Sequence, residues 1–134
     1  MNDREMKTRR ALTPDERGVL IKLIRSGHVA CADALLLQLE TALVGGGIPT
    51  FLELEISQDT PASTYPDGPL PLRAFVEERG AVTGEIIIWI KDGYLSALES
   101  AWFTDEPPTS APRPEQVRVE DAGSLGNGVG DAWR

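Results

Sequence analysis

The chain has 134 residues, 41% of them apolar and 25% charged, with a net charge of −8. A chain of this length is expected to form one domain, with a core that needs no disulfide or metal in order to fold. One Cys and one His exclude an internal disulfide framework and a His-rich metal site, and the longest apolar run, residues 86–90, is far too short to span a bilayer. The charge is uneven. Residues 1–25 carry seven basic and four acidic side chains, whereas residues 26–134 carry six basic and seventeen acidic ones. The acidic body repels phosphates, so nucleic acid is not an expected partner. The stretch MNDREMKTRR has no apolar segment of the secretory type, and a lone Cys suits a reducing compartment; a cytoplasmic protein without a membrane partner is the expectation. Residues 1–11 read as a flexible basic terminus.

Thr13-Pro14-Asp15-Glu16 has the form of a helix start. Thr13 caps, Pro14 stands where an N–H has no partner to lose, and Glu16 closes a capping box. Val19, Leu20, Leu23 and Ile24 then fall on one helical face, and Gly27 suits the residue after the end. A second helix is expected over 30–40, with Leu35, Leu36 and Leu39 as its buried stripe. Gly45-Gly46-Gly47 reads as a tight connection between strands. Thr50 to Ile56 (TFLELEI) alternates as a half-buried strand with Glu53 and Glu55 on its wet face. Residues 57–71 hold four prolines and read as a loop, and 72–78 as a strand. Residues 84–90 are apolar on both faces, which predicts a central strand. Asp92-Gly93 signals a hairpin, with Tyr94 to Phe103 as its return strand. Pro107-Pro108 ends the ladder, Val117 and Val119 form a short edge strand, and 121–134 read as a disordered Gly-rich tail. The expected fold is α+β: two N-terminal helices packed on an antiparallel sheet of about four or five strands, within one domain over 12–120.

Candidate chemistry is sparse. His28 and Cys31 have the composition of a nucleophile pair, but no third orienting group is evident, and a core Cys beside a turn His is the plainer interpretation. The three glycines lack the Lys-Ser/Thr of a phosphate loop. Glu53 and Glu55 share a strand face, where paired carboxylates do acid–base work or hold a hard cation, and equally where solvent-facing acids simply lie. Trp89, Tyr94, Trp102 and Phe103 are the hairpin aromatics. Ser96 and Ser100 are placed on the face of Tyr94, without the GxSxG of a serine hydrolase. No catalytic residue, metal ligand or cofactor is assigned. The binding residues chosen are Trp102, Asp105 and Glu106: an aromatic anchor beside two acids, held by the stiff Pro107-Pro108 exit.

The segments LTPDERGVL, a Gly-rich turn followed by Pro and an acidic strand, and DGYLSALESAWFTDEPP resemble a family of small bacterial proteins of actinobacterial type. The resemblance covers residues 12–108 and implies a fold, without an activity. Members often carry cysteines in the glycine turn, where this chain has VGGGIP, so the resemblance brings no metal role here. The function expected is that of a non-enzymatic protein-binding domain, in its sharpest form an immunity or inhibitor-type protein for a basic partner. Two alternatives stand beside it: a small enzyme with a carboxylate site at Glu53, Glu55 and Asp105, and a homo-oligomeric accessory protein joined through the hairpin or an open sheet edge.

Overall fold

The computed structural model describes residues 9–26 and 29–120. The architecture is α+β, with two helices on one face of an antiparallel sheet. The elements run β1 (Arg10–Ala11), α1 (Pro14–Ser26), α2 (Ala32–Leu39), β2 (Leu43–Ile48), β3 (Phe51–Glu55), β4 (Gly68–Pro69), β5 (Ala74–Glu78), β6 (Ala81–Lys91), β7 (Tyr94–Trp102), a 3₁₀ turn at Pro114–Gln116, and β8 (Val117–Val119). Among the described residues the sheet has eight strands rather than four or five. Its order is β1-β2-β3-β7-β6-β5-β8, and β4 pairs with the far end of β6. The surplus over the expected number lies largely in β1 and β4, two residues each, which are too short to show an alternating pattern. The expected basic terminus, Gly-rich tail and Gly27-His28 turn fall wholly or mainly on residues 1–8, 27–28 and 121–134, outside the described residues. Arg10–Ala11, from the end of that terminus, pairs with Val44 and Leu43.

α1 begins as its sequence requires. The Glu16 amide donates to Thr13 Oγ1 at 3.1 Å, and the Thr13 amide donates to Glu16 Oε1 at 2.9 Å. Val19, Leu20, Leu23 and Ile24 are buried with Leu35 and Leu39 of α2 against Ile86, Ile88, Ile90, Leu95 and Leu98 of the sheet. Leu36 is only partly buried. Its place in the stripe is shared by Gln38, which is 0% exposed. The Gln38 amide is saturated: Nε2 donates to the carbonyls of Pro61 and Gly93, and Oε1 accepts from the Leu95 amide at 2.9 Å. That side chain ties α2 to the 57–67 segment and to the hairpin turn.

The hairpin is a two-residue turn with both φ angles positive, Asp92 at 54° and Gly93 at 85°. One expectation about strands is corrected. The glycine run is not a connection: Gly45–Gly47 lies within β2, with a bulge between Val44 and Gly46 in its pairing to β3. Gly47 has φ +104°, and a Cβ there would stand 2.1 Å from the Phe51 carbonyl oxygen, so glycine serves close strand approach. Strand β6 is central, between β5 and β7, as its apolar run predicts, and its two faces are buried unequally. Ile86, Ile88 and Ile90 are core, whereas Ile87 and Trp89 are half-buried on the face away from the helices. No helix among the described residues is long and apolar enough to cross a membrane.

Candidate functional site

A cavity of about 730 Å³ opens where the interlayer space meets the N-terminal end of α1. That volume falls in the range of ligand sites. One wall is the first turn of α1. The floor is a row across three strands, Val76–Gly84–Trp102, set by the pairings of β5 with β6 and of β6 with β7. Gly84 supplies no side chain to the middle of that row, which leaves it low. Ser100, paired with Ile86 one step further in, also lines the cavity and is 8% exposed. The outer wall is the 103–113 segment. It is fixed at its start by the Phe103 amide donating to the Thr83 carbonyl at 2.8 Å. Beyond its end, Lys22 Nζ donates to the Pro114 carbonyl at 2.9 Å. Three prolines within the segment, 107, 108 and 112, restrict it further.

The cavity is acidic. Asp15, Glu16, Glu78 and Glu106 line it, against the single basic side chain of Arg113. Arg113 is itself paired with Glu115 at 3.0 Å. Glu16 is the most enclosed of the four. Arg10 Nη1 and Nη2 donate to its two oxygens at 2.8 and 2.9 Å. The Arg10 hydrogen bonds, helped by the Thr13 amide, hold this carboxyl below the usual carboxylate range against the opposing effect of burial. A second cavity of about 350 Å³ lies along β2 and shares Glu16 and Thr109–Ala111 with the first, so the carboxylate and that short segment stand between the two.

Of the residues chosen from sequence, Trp102 and Glu106 line the cleft, while Asp105 is exposed on the same segment and does not. Trp102 is 42% exposed and Phe103 58%, so neither ring is core. Asp15, Glu78 and Ser100 were not chosen. Each carries a sufficient local explanation, as a helix-dipole acid, a strand-end acid and a strand serine, and only tertiary structure brings them together. Ser100 does not share the face of Tyr94. The pairing shifts between Trp89 and Ile90, leaving Ser96 as an extra residue on β7 and turning Ser100 toward the helices.

The other candidates are placed apart. Glu53 and Glu55 lie on the sheet face opposite the helices, and Glu55 is ion-paired with Arg9. No group of three or more His, Cys, Asp or Glu side chains among the described residues is arranged to hold a metal ion. Cys31 precedes α2 with φ 61°, and its Sγ lies 3.2 Å from Thr64 Oγ1. Hydrogen bonding from Thr64 lowers the thiol below its usual range. Gly45–Gly47 is strand backbone, and Trp89 Nε1 donates to Glu99 Oε1 at 2.8 Å on the open sheet face. No family model, curated protein or solved structure matches the chain.

Proposed function

We propose that this chain is a non-enzymatic binding domain whose cleft receives a basic segment of a protein partner. The observation that carries the reading is the cleft itself: four lining carboxylates, one of them (Glu16) paired with Arg10 behind it, against the one lining arginine, around a half-exposed tryptophan. Exposed aromatic area beside charge is the composition of an interface anchor, and an excess of one sign selects and steers a partner of the other. The three prolines of the outer wall reduce the entropy lost when a ligand orders that segment. An immunity or inhibitor-type role is the version in which the basic segment belongs to the active site of the partner. The carboxylate-enzyme alternative has less support, because Glu53 and Glu55 point away from the cleft and Glu55 is occupied by Arg9.

The test is calorimetric titration with a panel of lysine- and arginine-rich 12-residue peptides, with acidic peptides as controls. Saturable binding of the basic peptides that weakens with salt is expected. The double variant Glu78→Gln/Glu106→Gln should weaken it by roughly 2- to 10-fold, the worth of two partly exposed ion pairs. Affinity and salt dependence unchanged in that variant would refute the reading.

A further inference from the structure

The cleft has a feature that a merely acidic surface lacks. Ser100 is nine-tenths buried as a residue and lines the cavity, and its hydroxyl is open to that cavity, with no hydrogen bond to another group among the described residues. A hydroxyl that faces a cavity and is not taken up by the protein is available to a ligand. It sits one step inward from Trp102 on β7, with the side-chain-free Gly84 opposite Trp102 on β6. Trp102, half-exposed, thus stands nearer the mouth than Ser100.

We propose that this cleft is built for one arginine side chain of the partner, its guanidinium stacked on Trp102, hydrogen-bonded to Ser100 and flanked by the cleft carboxylates. The inference rests on the cleft reading above and names its ligand. The arrangement favours arginine over lysine on three grounds. A guanidinium stacks on an indole face as well as attracting it electrostatically. It is more weakly hydrated than an ammonium, so entering a half-closed cleft costs it less. Its five N–H donors suit a site whose acceptors come from separate elements, namely Ser100 of β7, Glu106 of the outer wall and Glu16 of α1, with Glu78 of β5 further out on the cleft wall. Glu16 has acceptor capacity to spare, since among the described residues Oε2 takes a single hydrogen bond, from Arg10. The guanidinium would thus meet a carboxylate already held in its charged form and place.

The experiment is an amide and indole NMR titration of the full chain with three capped tripeptides, acetyl-Gly-Xaa-Gly-amide, where Xaa is arginine, lysine or citrulline. The arginine peptide is expected to shift the Trp102 indole N–H and the Ser100 and Gly84 amides saturably. The lysine peptide should bind at least about threefold more weakly, and the uncharged citrulline peptide about tenfold more weakly or worse. Ser100→Ala should cost the arginine peptide about threefold or more, with spectra remote from the cleft unchanged. Trp102→Leu, at a half-exposed position, gives a second variant should Ser100→Ala disturb the fold, and should remove the preference for arginine over lysine. Equal binding of arginine and lysine, indifferent to both variants but weakened by Glu78→Gln/Glu106→Gln, would overturn the arginine assignment and leave the basic-segment reading standing. Absence of any shift at Trp102, Ser100 or Gly84 with either cationic peptide would overturn both.

Discussion

Gln38 is the polar residue on which the hairpin end of the fold depends, and Gln38→Leu tests that dependence with little change in volume. In the native protein its amide makes three hydrogen bonds, to Pro61, Gly93 and Leu95, at a position with no solvent exposure. The three are not equivalent. The Gly93 carbonyl also accepts from the Ser63 amide at 2.8 Å and keeps a partner in the variant. Pro61 is exposed, so water can replace the lost donor there. The Leu95 amide is the group left stranded, since Leu95 is 1% exposed and its N–H is directed at Gln38. An unsatisfied buried donor costs about 1–3 kcal/mol, and the two weakened contacts add to it, while the apolar leucine offsets part of the sum. A net loss of about 2 kcal/mol follows, equivalent to a fall in Tm of roughly 8 °C for a domain of this size. Urea unfolding with linear extrapolation measures it, and hydrogen exchange should show the Leu95 amide losing protection beyond the global change. A loss under about 0.5 kcal/mol with an unchanged m value would refute the assignment of Gln38 as the clamp.

Four further outcomes are expected. Ile88→Ala, at a 1% exposed site in the middle of β6, should cost about 2–5 kcal/mol by denaturant unfolding. Gly47→Ala should destabilise well beyond the ~1 kcal/mol expected of Gly80→Ala: both positions have positive φ, but only Gly47 has backbone in the way of a Cβ, and equal losses would show that the strand edge relaxes freely. Glu16→Gln should cost about 1–3 kcal/mol at pH 7, where the Arg10–Glu16 pair is intact. Because the Glu16 carboxyl is depressed in the folded state, its contribution is present above the unfolded carboxylate pKa of about 4.3 and lost as pH falls through the lower folded value, so the difference between wild type and variant should close in acid.

The elements legible in the sequence are those whose cause is local. The Thr13–Glu16 capping box, the Asp92-Gly93 turn and the alternation of Leu52 and Leu54 with Glu53 and Glu55 depend on neighbours within a few residues, and the structure contains all three. What escaped has its cause elsewhere in the chain. Arg10–Ala11 and Gly68–Pro69 are strands only because β2 and β6 present edges to them. The glycines of β2 look like a connection until Phe51 is seen 2.1 Å from where a Cβ of Gly47 would stand. Gln38 looks like an exposed position of α2 until the loop and the hairpin close over it.

The candidate site shows the same division more sharply, because its existence turns on one residue with no visible signal. Strict alternation along β7 from Tyr94 would send Ser96, Leu98, Ser100 and Trp102 to the same side as the Tyr94 ring, away from the helices. Ser96 absorbs one position instead. Leu95 and Leu98 both enter the core, and Ser100 and Trp102 follow them to the helix side, opposite Ile86 and Gly84. The gain is hydrophobic: the bulge buries Leu95 and Leu98 together, where unbroken alternation would leave one of them outside, at a cost on the order of 1.5–3 kcal/mol. Placing a serine and a tryptophan on the cleft floor is therefore a by-product of core packing further up the strand. Trp102 and Glu106 were within reach of sequence reasoning, since aromatic and acid stand together in DGYLSALESAWFTDEPP. Ser100 was not, because the side it faces is decided four residues earlier, by which two leucines the core takes in.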